Sequence, residues 1–442
     1  VRASRVVGHA ALLVLALAVA PARGSNAVAT APTPALVLHV GHLIANPGEA
    51  TLGPHTLVVR DHRIAAIDAG FVPAARYGSD ARLVDLSRHY VLPGLIDLHM
   101  HLAIAMDADT ATVASPARLV LLAAGYARQL LDAGVTSVRD VGDNSGVTYA
   151  LRDAIAAGQV PGPRIFAAGR IVSRSGGHGA RQAAPGEIPF EPARCDGVES
   201  CRRAVREDVE AGSDWIKLTV SGSGRAAAGR ADSPPDMFED EVRAAVAAAT
   251  QAERPVAAHA HGTASINLAL EAGARTIEHG TYFDATSVRL FRQQHAWIVP
   301  TAFVADFVGS QLERFAGGPD GKDREQLRRW VEDAKRTPLR AWRAGVPLAL
   351  GTDAGPSFGA DATARELALY VAAGVPAREA LRAATAGNAA ALGRDDLGHL
   401  RVGALADLIA VDADPAADIA TLRAMRFVMK DGDIVRATDA AR

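Results

Sequence analysis

The chain has 442 residues, with 47 Lys and Arg against 49 Asp and Glu, a net charge of -2 with histidines neutral, and 49% hydrophobic residues. That length exceeds what one core usually spans and predicts a large domain with a smaller companion. Balanced charge, with no stretch dense in Lys or Arg, argues against nucleic acid as a partner and leaves a small molecule as the default substrate.

At the N-terminus Arg2 and Arg5 precede the apolar run AALLVLALAVA at 10–20, and Ala20-Pro21-Ala22 puts small residues where a signal peptidase reads. The run falls short of the roughly 20 residues of a membrane span. Residues 1–22 are therefore read as a cleaved signal peptide, which implies export to the periplasm or beyond and no membrane in the mature form. An uncleaved anchor is the alternative. A tail rich in Ala, Pro and Thr follows through Pro34.

Between 35 and 90 short segments alternate apolar and polar residues, which is the patterning of antiparallel strands. The pattern returns in GALADLIAVDADP and MRFVMKDGDIVRAT near the C-terminus, where Asp431-Gly432 reads as a hairpin turn. Residues 35–88 and 393–442 are thus expected to pair into one small β-sandwich domain.

Over 89–392 the rhythm changes to short apolar strands followed by Ala-rich helical stretches. Strands are predicted at 90–98, 134–141, 163–169, 214–220, 255–259, 274–279, 296–301 and 346–352. Helices are predicted at 117–133, 147–158, 198–211, 238–252, 263–272 and 363–373. Eight such alternations indicate an α/β fold of the parallel (β/α)8 TIM-barrel type. An open doubly wound sheet is the alternative, and no GxGxxG follows the first strand to support it. Cys195 and Cys201 bracket DGVES at a separation that a local disulfide could close if the backbone folds back, with free thiols as the other reading.

In a barrel of this type the reactive groups sit at the C-terminal ends of the strands. That position carries His99 and His101 on the first strand, Lys217 within the fourth, His259 on the fifth, His279 on the sixth and Asp353 just after the eighth. Each is polar where its strand is apolar, and burying so many polar groups without a partner is costly. His99 and His101 are two residues apart and face the same side, as chelating ligands of a borderline metal such as zinc would. Lys217 would be repelled beside divalent metals as an ammonium, whereas its neutral amine can add carbon dioxide to become an anionic, bridging carbamate.

These motifs, PGLIDLHMHL, DWIKL, AAHAHG, TIEHGT and LGTDAG, together with GHLRVGALADLIAVDADP, resemble the metal-dependent amidohydrolase superfamily over nearly the whole mature chain. Within it, GGHG (176–179) and AAHAHG look like the binuclear branch of Xaa-Pro-type dipeptidases, other carboxypeptidase-like enzymes and ochratoxin-hydrolysing amidohydrolases. The resemblance implies two divalent metal ions, His99 and His101 holding the more buried one, His259 and His279 the more exposed one, and carboxylated Lys217 bridging them. It makes Asp353 both a ligand and the catalytic group that handles the proton, and leaves His261 as a supporting residue.

The implied reaction is attack of a metal-bridging hydroxide on the amide carbonyl of a dipeptide or N-acyl amino acid, with Asp353 as general base and then acid. His178, Arg174, Arg225 and Arg230 are candidates to hold a substrate carboxylate, and Tyr282 could donate to a carboxylate or oxyanion. The stretch SGSGRAAAGRADSPPDMF is long for a compact loop and reads as a lid. Alternatives are a cyclic-amide hydrolase, an imidazolonepropionase-like or deaminase-like relative, or a metal-binding barrel that lost activity. Single-metal relatives lack a lysine on strand four, so Lys217 weighs against them. Assembly into a homo-oligomer stays open.

Overall fold

The computed structural model describes residues 33–104, 115–143, 145–179, 193–222, 230–316 and 322–438. The predicted signal peptide at 1–22 and Arg225 lie outside the described residues. Pro34–Arg442 form one compact unit.

Strand β1 (Leu36–Leu43) buries Val37, Leu38 and Val40, residues from both of its faces, so it must lie inside a sheet. It pairs antiparallel with β2 (His55–Arg60), which in turn pairs with β3 (Arg63–Ala69). On its other side it runs parallel to β4 (Arg82–Pro93), where the sequence pattern predicted antiparallel pairing throughout. Periodicity reports which faces are buried and carries no information on strand direction. From the C-terminus come β14 (Leu408–Val411), β15 (Phe427–Lys430) and β16 (Asp433–Ala437), giving a seven-stranded sheet in the order β16-β15-β14-β4-β1-β2-β3. Asp431 and Gly432 make the β15–β16 turn with φ of 51° and 79°, the left-handed pair that a tight hairpin requires.

The first barrel strand, predicted as 90–98, is divided at Pro93-Gly94. β4 ends in the terminal sheet and β5 (Leu95–Met100) opens the barrel. Only a glycine fits at the step, since a Cβ on Gly94 would lie 2.2 Å from the Thr136 hydroxyl. The barrel continues with β6 (Val135–Asp140), β7 (Arg164–Ala167), the short β8 (Ile171–Ser173) and β9 (Ala193–Arg194), and then β10 (Ile216–Thr219). β11 (Val256–Ala260), β12 (Thr276–His279) and β13 (Trp297–Val299) complete the regular strands, all paired in parallel.

Backbone hydrogen bonds join these pieces into a ring. Asp214 donates to Ala167 O (2.8 Å) between β7 and β10, Ile298 to Pro347 O (3.0 Å) and Leu98 to Leu350 O (3.0 Å). The last two place the predicted eighth strand between β13 and β5, although it makes only isolated bridges, Ile298 with Leu348 and Met100 with Ala354. The helices Pro116–Asp132, Val147–Ala156, Val198–Glu210, Glu239–Gln251, Thr263–Ala272 and Ala362–Ala373 match the predicted ones within the usual fraying of ends. Two more, Ala302–Ser310 and Lys322–Ala344, follow β13 and pack on each other through Ala305, Val308, Leu327 and Trp330. Cys195 and Cys201 are bonded, both fully buried, with Cα atoms 4.1 Å apart at the start of the helix Val198–Glu210.

The irregular eighth strand is held by a side chain. Asn388, fully buried, accepts from Leu350 N–H (2.8 Å) and donates to Leu350 O (2.8 Å) and Ile96 O (2.7 Å), doing for this strand what a regular ladder does elsewhere. Asn388→Ala removes the acceptor of the Leu350 N–H and one donor each from Ile96 O and Leu350 O, the last of which keeps its bond from Leu98, and is expected to lower the unfolding free energy by about 2 kcal/mol. Denaturant titration checks this, and an unchanged midpoint would show that the strand is held by its other contacts.

Candidate metal centre

A register shift on β5 between Asp97 and Met100 turns His99 and then His101 inward, whereas Asp97 pairs with Val138 and reaches Thr363 on the helix Ala362–Ala373, and Ile96 and Leu98 pack with Val299 and Ala349. Asp97 accepts from the His99 N–H (3.1 Å), the Thr352 N–H (3.2 Å) and the Thr363 hydroxyl (2.9 Å), locking the end of β5 to the eighth strand. Burial pushes its carboxyl up to about 6 in spite of those bonds. His99 donates from Nδ1 to Glu278 Oε2 (2.8 Å), and His101 donates from Nδ1 to Gly142 O (3.1 Å). Their Nε2 atoms both face Asp353 Oδ1, at 3.4 and 3.1 Å. An imidazole that donates from Nδ1 turns its Nε2 toward the carboxylate oxygen, and two such nitrogens beside one oxygen call for a shared cation or proton; against burial, the bond to Asp353 raises His101.

His259 and His261 point inward from the end of β11, again two residues apart. His259 donates from Nε2 to Gly222 O (3.2 Å) and stacks on His178, ring centroids 4.2 Å apart. His261 Nδ1 is bonded to Thr281 Oγ1 (2.9 Å), and Trp330 stands edge-on to its ring, 5.8 Å between centroids. His279 Nδ1 is bonded to Thr301 Oγ1 (2.7 Å). Alternation alone would send His279 away from its neighbour Glu278. Its φ of 68° turns it back, so both side chains reach the axis; Asp353, φ 58°, is likewise left-handed. Burial and the neighbouring imidazoles hold His259 and His279 well below the ordinary histidine range, and burial with His178 nearby takes His261 down to about 3. These rings are neutral donors.

Two overlapping groups result, His259 with His261 and His279, and His99 with His279 and Asp353, each with ligand atoms within 4.8 Å of one another. His261, expected only to support the site, thus stands inside it. Lys217 enters from β10, and its charge is felt by His101, His259, His261 and His279. It is 2% exposed and, among the described residues, pairs with no carboxylate. Burial brings its amine down to about 8, against the pull of Glu278 and Asp353. The donor set fits divalent metal: neutral imidazoles, a carboxylate and an orphaned buried amine converge at the mouth of an apolar barrel.

Beneath these groups lies a buried ion pair that the sequence reading missed. Glu278 accepts from His99 on one oxygen and from Arg139 on the other (2.7 Å); both side chains are fully buried. Arg139 also donates to Leu98 O (2.7 Å) and Thr276 Oγ1 (3.0 Å) and lies 4.4 Å over the Trp215 ring. Burial alone would raise Glu278; Arg139 and the bond from His99 hold it at about 2. A Glu directly before a strand-end His, and an Arg inside the apolar strand GVTSVRDV, were the available signals.

The expected substrate residues divide. His178 is at the site, by its stack on His259. Tyr282 packs against the cluster that holds Trp330, and burial with Asp333 beside it raises its phenol. Arg230 is exposed and pairs with Asp232 (3.0 Å), and Arg174 donates to Ser175 O (2.9 Å); neither joins the cluster. Residues 223–229 of the expected lid lie outside the described residues.

A parallel α/β barrel with this constellation at the C-terminal ends of its strands belongs to the hydrolytic barrel enzymes whose site is built for metal ions. The chain matches the Amidohydrolase family over residues 90–435, and it belongs to that family. It is a hydrolase acting on amide C–N bonds. It is 30% identical over 432 residues to ochratoxinase from Aspergillus niger, covering 90% of this chain and 86% of that protein. Its structure resembles that of a Xaa-Pro dipeptidase with bound methionine in the active site (TM-score 0.81, 32% identity, 90% of this chain and 99% of that one). It is also 27% identical to imidazolonepropionase from Mycolicibacterium smegmatis, over 91% of this chain and 98% of that protein.

Glu278→Gln leaves Arg139 as a buried cation without its anion and is expected to destabilise the fold by about 3–5 kcal/mol. It should also weaken metal binding by roughly 10- to 100-fold through His99. Thermal melts and metal retention after dialysis measure the two; loss of stability with metal retention intact would refute the link to His99.

Proposed function

We propose that this chain is a binuclear metal-dependent hydrolase that cleaves the amide bond of dipeptides or N-acyl amino acids. The observation that carries the reading is Lys217, a buried amine without an anionic partner among inward-facing imidazoles and Asp353. A carbamate on Lys217, formed when the neutral amine adds carbon dioxide and loses a proton, would turn that misfit into an anionic metal ligand. In this reading His99, His101 and Asp353 hold one ion, and His259 and His279 the other, with His261 beside it. Divalent ions bound there, zinc by preference for this nitrogen and oxygen set, supply the Lewis acidity that polarises an amide carbonyl and makes a nucleophile of water at neutral pH.

The chain's own groups do the rest. Asp353, fixed between His99 and His101, takes a proton at its carboxylate from the attacking water and passes it to the leaving amine nitrogen. In this reading His178 binds the substrate carboxylate, supported by its stack on His259 and by the flanking Gly177 and Gly179, which let the backbone approach closely. Similarity to a Xaa-Pro dipeptidase and to ochratoxinase supports an amide substrate. Similarity to an imidazolonepropionase supports a second reading, a cyclic amide, which leaves the lysine on β10 without a task.

The expected outcome is about two equivalents of divalent metal per chain, hydrolysis of some members of a dipeptide and N-acyl amino acid panel, and loss of both metal and turnover in Lys217→Ala. Elemental analysis and product detection decide it. Full turnover in Lys217→Ala, or one metal or none in the active protein, refutes the bridged pair; hydrolysis of cyclic amides alone selects the second reading.

A further inference from the structure

Thr301 sits at the N-cap of the helix Ala302–Ser310 with φ 55°, an uncommon conformation for a β-branched residue. A threonine at that place ordinarily turns its hydroxyl toward the first free amides of the helix. Here it makes no such bond, and the hydroxyl is bonded to Nδ1 of His279 instead (2.7 Å). The amides are satisfied from elsewhere: Glu366, on the helix Ala362–Ala373, accepts from the N–H of Ala302 (2.8 Å) and from the N–H of Phe303. Glu366 is fully buried, and among the described residues no lysine or arginine pairs with it; Tyr370, one turn further on, is its polar neighbour. A carboxyl group so placed is costly unless it is hydrogen-bonded, and the two helix amides supply those bonds.

We infer that Glu366 is a positioning residue for the site: by capping the helix Ala302–Ser310 from outside, it frees the Thr301 hydroxyl to hold Nδ1 of His279 and so fixes which nitrogen that imidazole offers inward. The substitute cap also explains why Thr301 keeps its left-handed backbone, since both amides that follow it are pinned to one carboxyl group. The inference rests on the reading of His279 as a metal ligand, yet the orientation it describes exists in the metal-free protein. Glutamine at 366 would present an amide N–H to one of the two backbone donors and break half of the cap.

The test is the tautomer of His279, observed by nitrogen-15-resolved NMR in metal-free protein, beside the affinity for Zn2+ titrated alone. The wild type and Thr301→Ser, which keeps the hydroxyl, are expected to hold the His279 ring in one orientation and one tautomer, with Nδ1 bonded to that hydroxyl. Glu366→Gln and Thr301→Val are expected to show a mixture and about 10-fold weaker Zn2+ binding. An unchanged His279 tautomer in Glu366→Gln, or a Thr301→Ser protein as impaired as Thr301→Val, overturns the inference. Should Glu366→Gln fail to fold, the two Thr301 variants still decide. A wild type that retains no metal would count against the function proposed above, while the tautomer result would remain the measure of this one.

Discussion

The site stands on the pairing of Arg139 with Glu278 at the barrel axis. Moving a guanidinium and a carboxylate out of water carries a penalty of several kcal/mol for each ion, which mutual attraction offsets only when the remaining hydrogen-bonding capacity is filled. Here it is filled: Arg139 reaches a carbonyl, a hydroxyl and the Trp215 ring, and Glu278 takes the Nδ1 proton of His99. Because a carboxylate can only accept, this bond leaves the Nε2 of a neutral His99 as a lone pair directed at the cluster. The charge pair thereby converts a strand sequence into a donor of defined orientation, and the rest of the site is arranged around that donor.

The same logic recurs with weaker partners. Each inward imidazole commits one nitrogen to a group outside the cluster, a carbonyl for His101 and His259 and a hydroxyl for His261 and His279. Burial keeps His259, His261 and His279 uncharged, which spares the site the repulsion that three imidazolium ions at these separations would create. Left-handed backbone at His279, Thr301 and Asp353 lets side chains leave the direction that strand geometry would give them.

What the sequence could disclose follows from this division. Period-two alternation on an apolar background marks residues that face the axis, and so the histidines of β5 and β11, Lys217 and the order of strands and helices were legible. Alternation could not choose between His259 and His261, which share a face, and it could not foresee that a left-handed residue would bring Glu278 and His279 to the same side. Asn388 and Glu366 were invisible for a different reason: their partners are backbone atoms of segments remote in sequence, and a backbone group leaves no trace in residue identity. The parallel run of β1 and β4 escaped likewise, since strand direction depends on where the intervening chain returns.

The pairing of β4 with β14 has a consequence for how the chain is made. Synthesis delivers β1 to β4 first and β14 to β16 last, with the entire barrel between them. Until the final strands arrive, the outer edge of β4 exposes unpaired amides and carbonyls, and closing so long a loop is a late and entropically demanding step. The sheet is therefore complete only around a finished barrel, and a chain that stops short of Leu408 keeps an open strand edge of the kind that recruits other chains into aggregates.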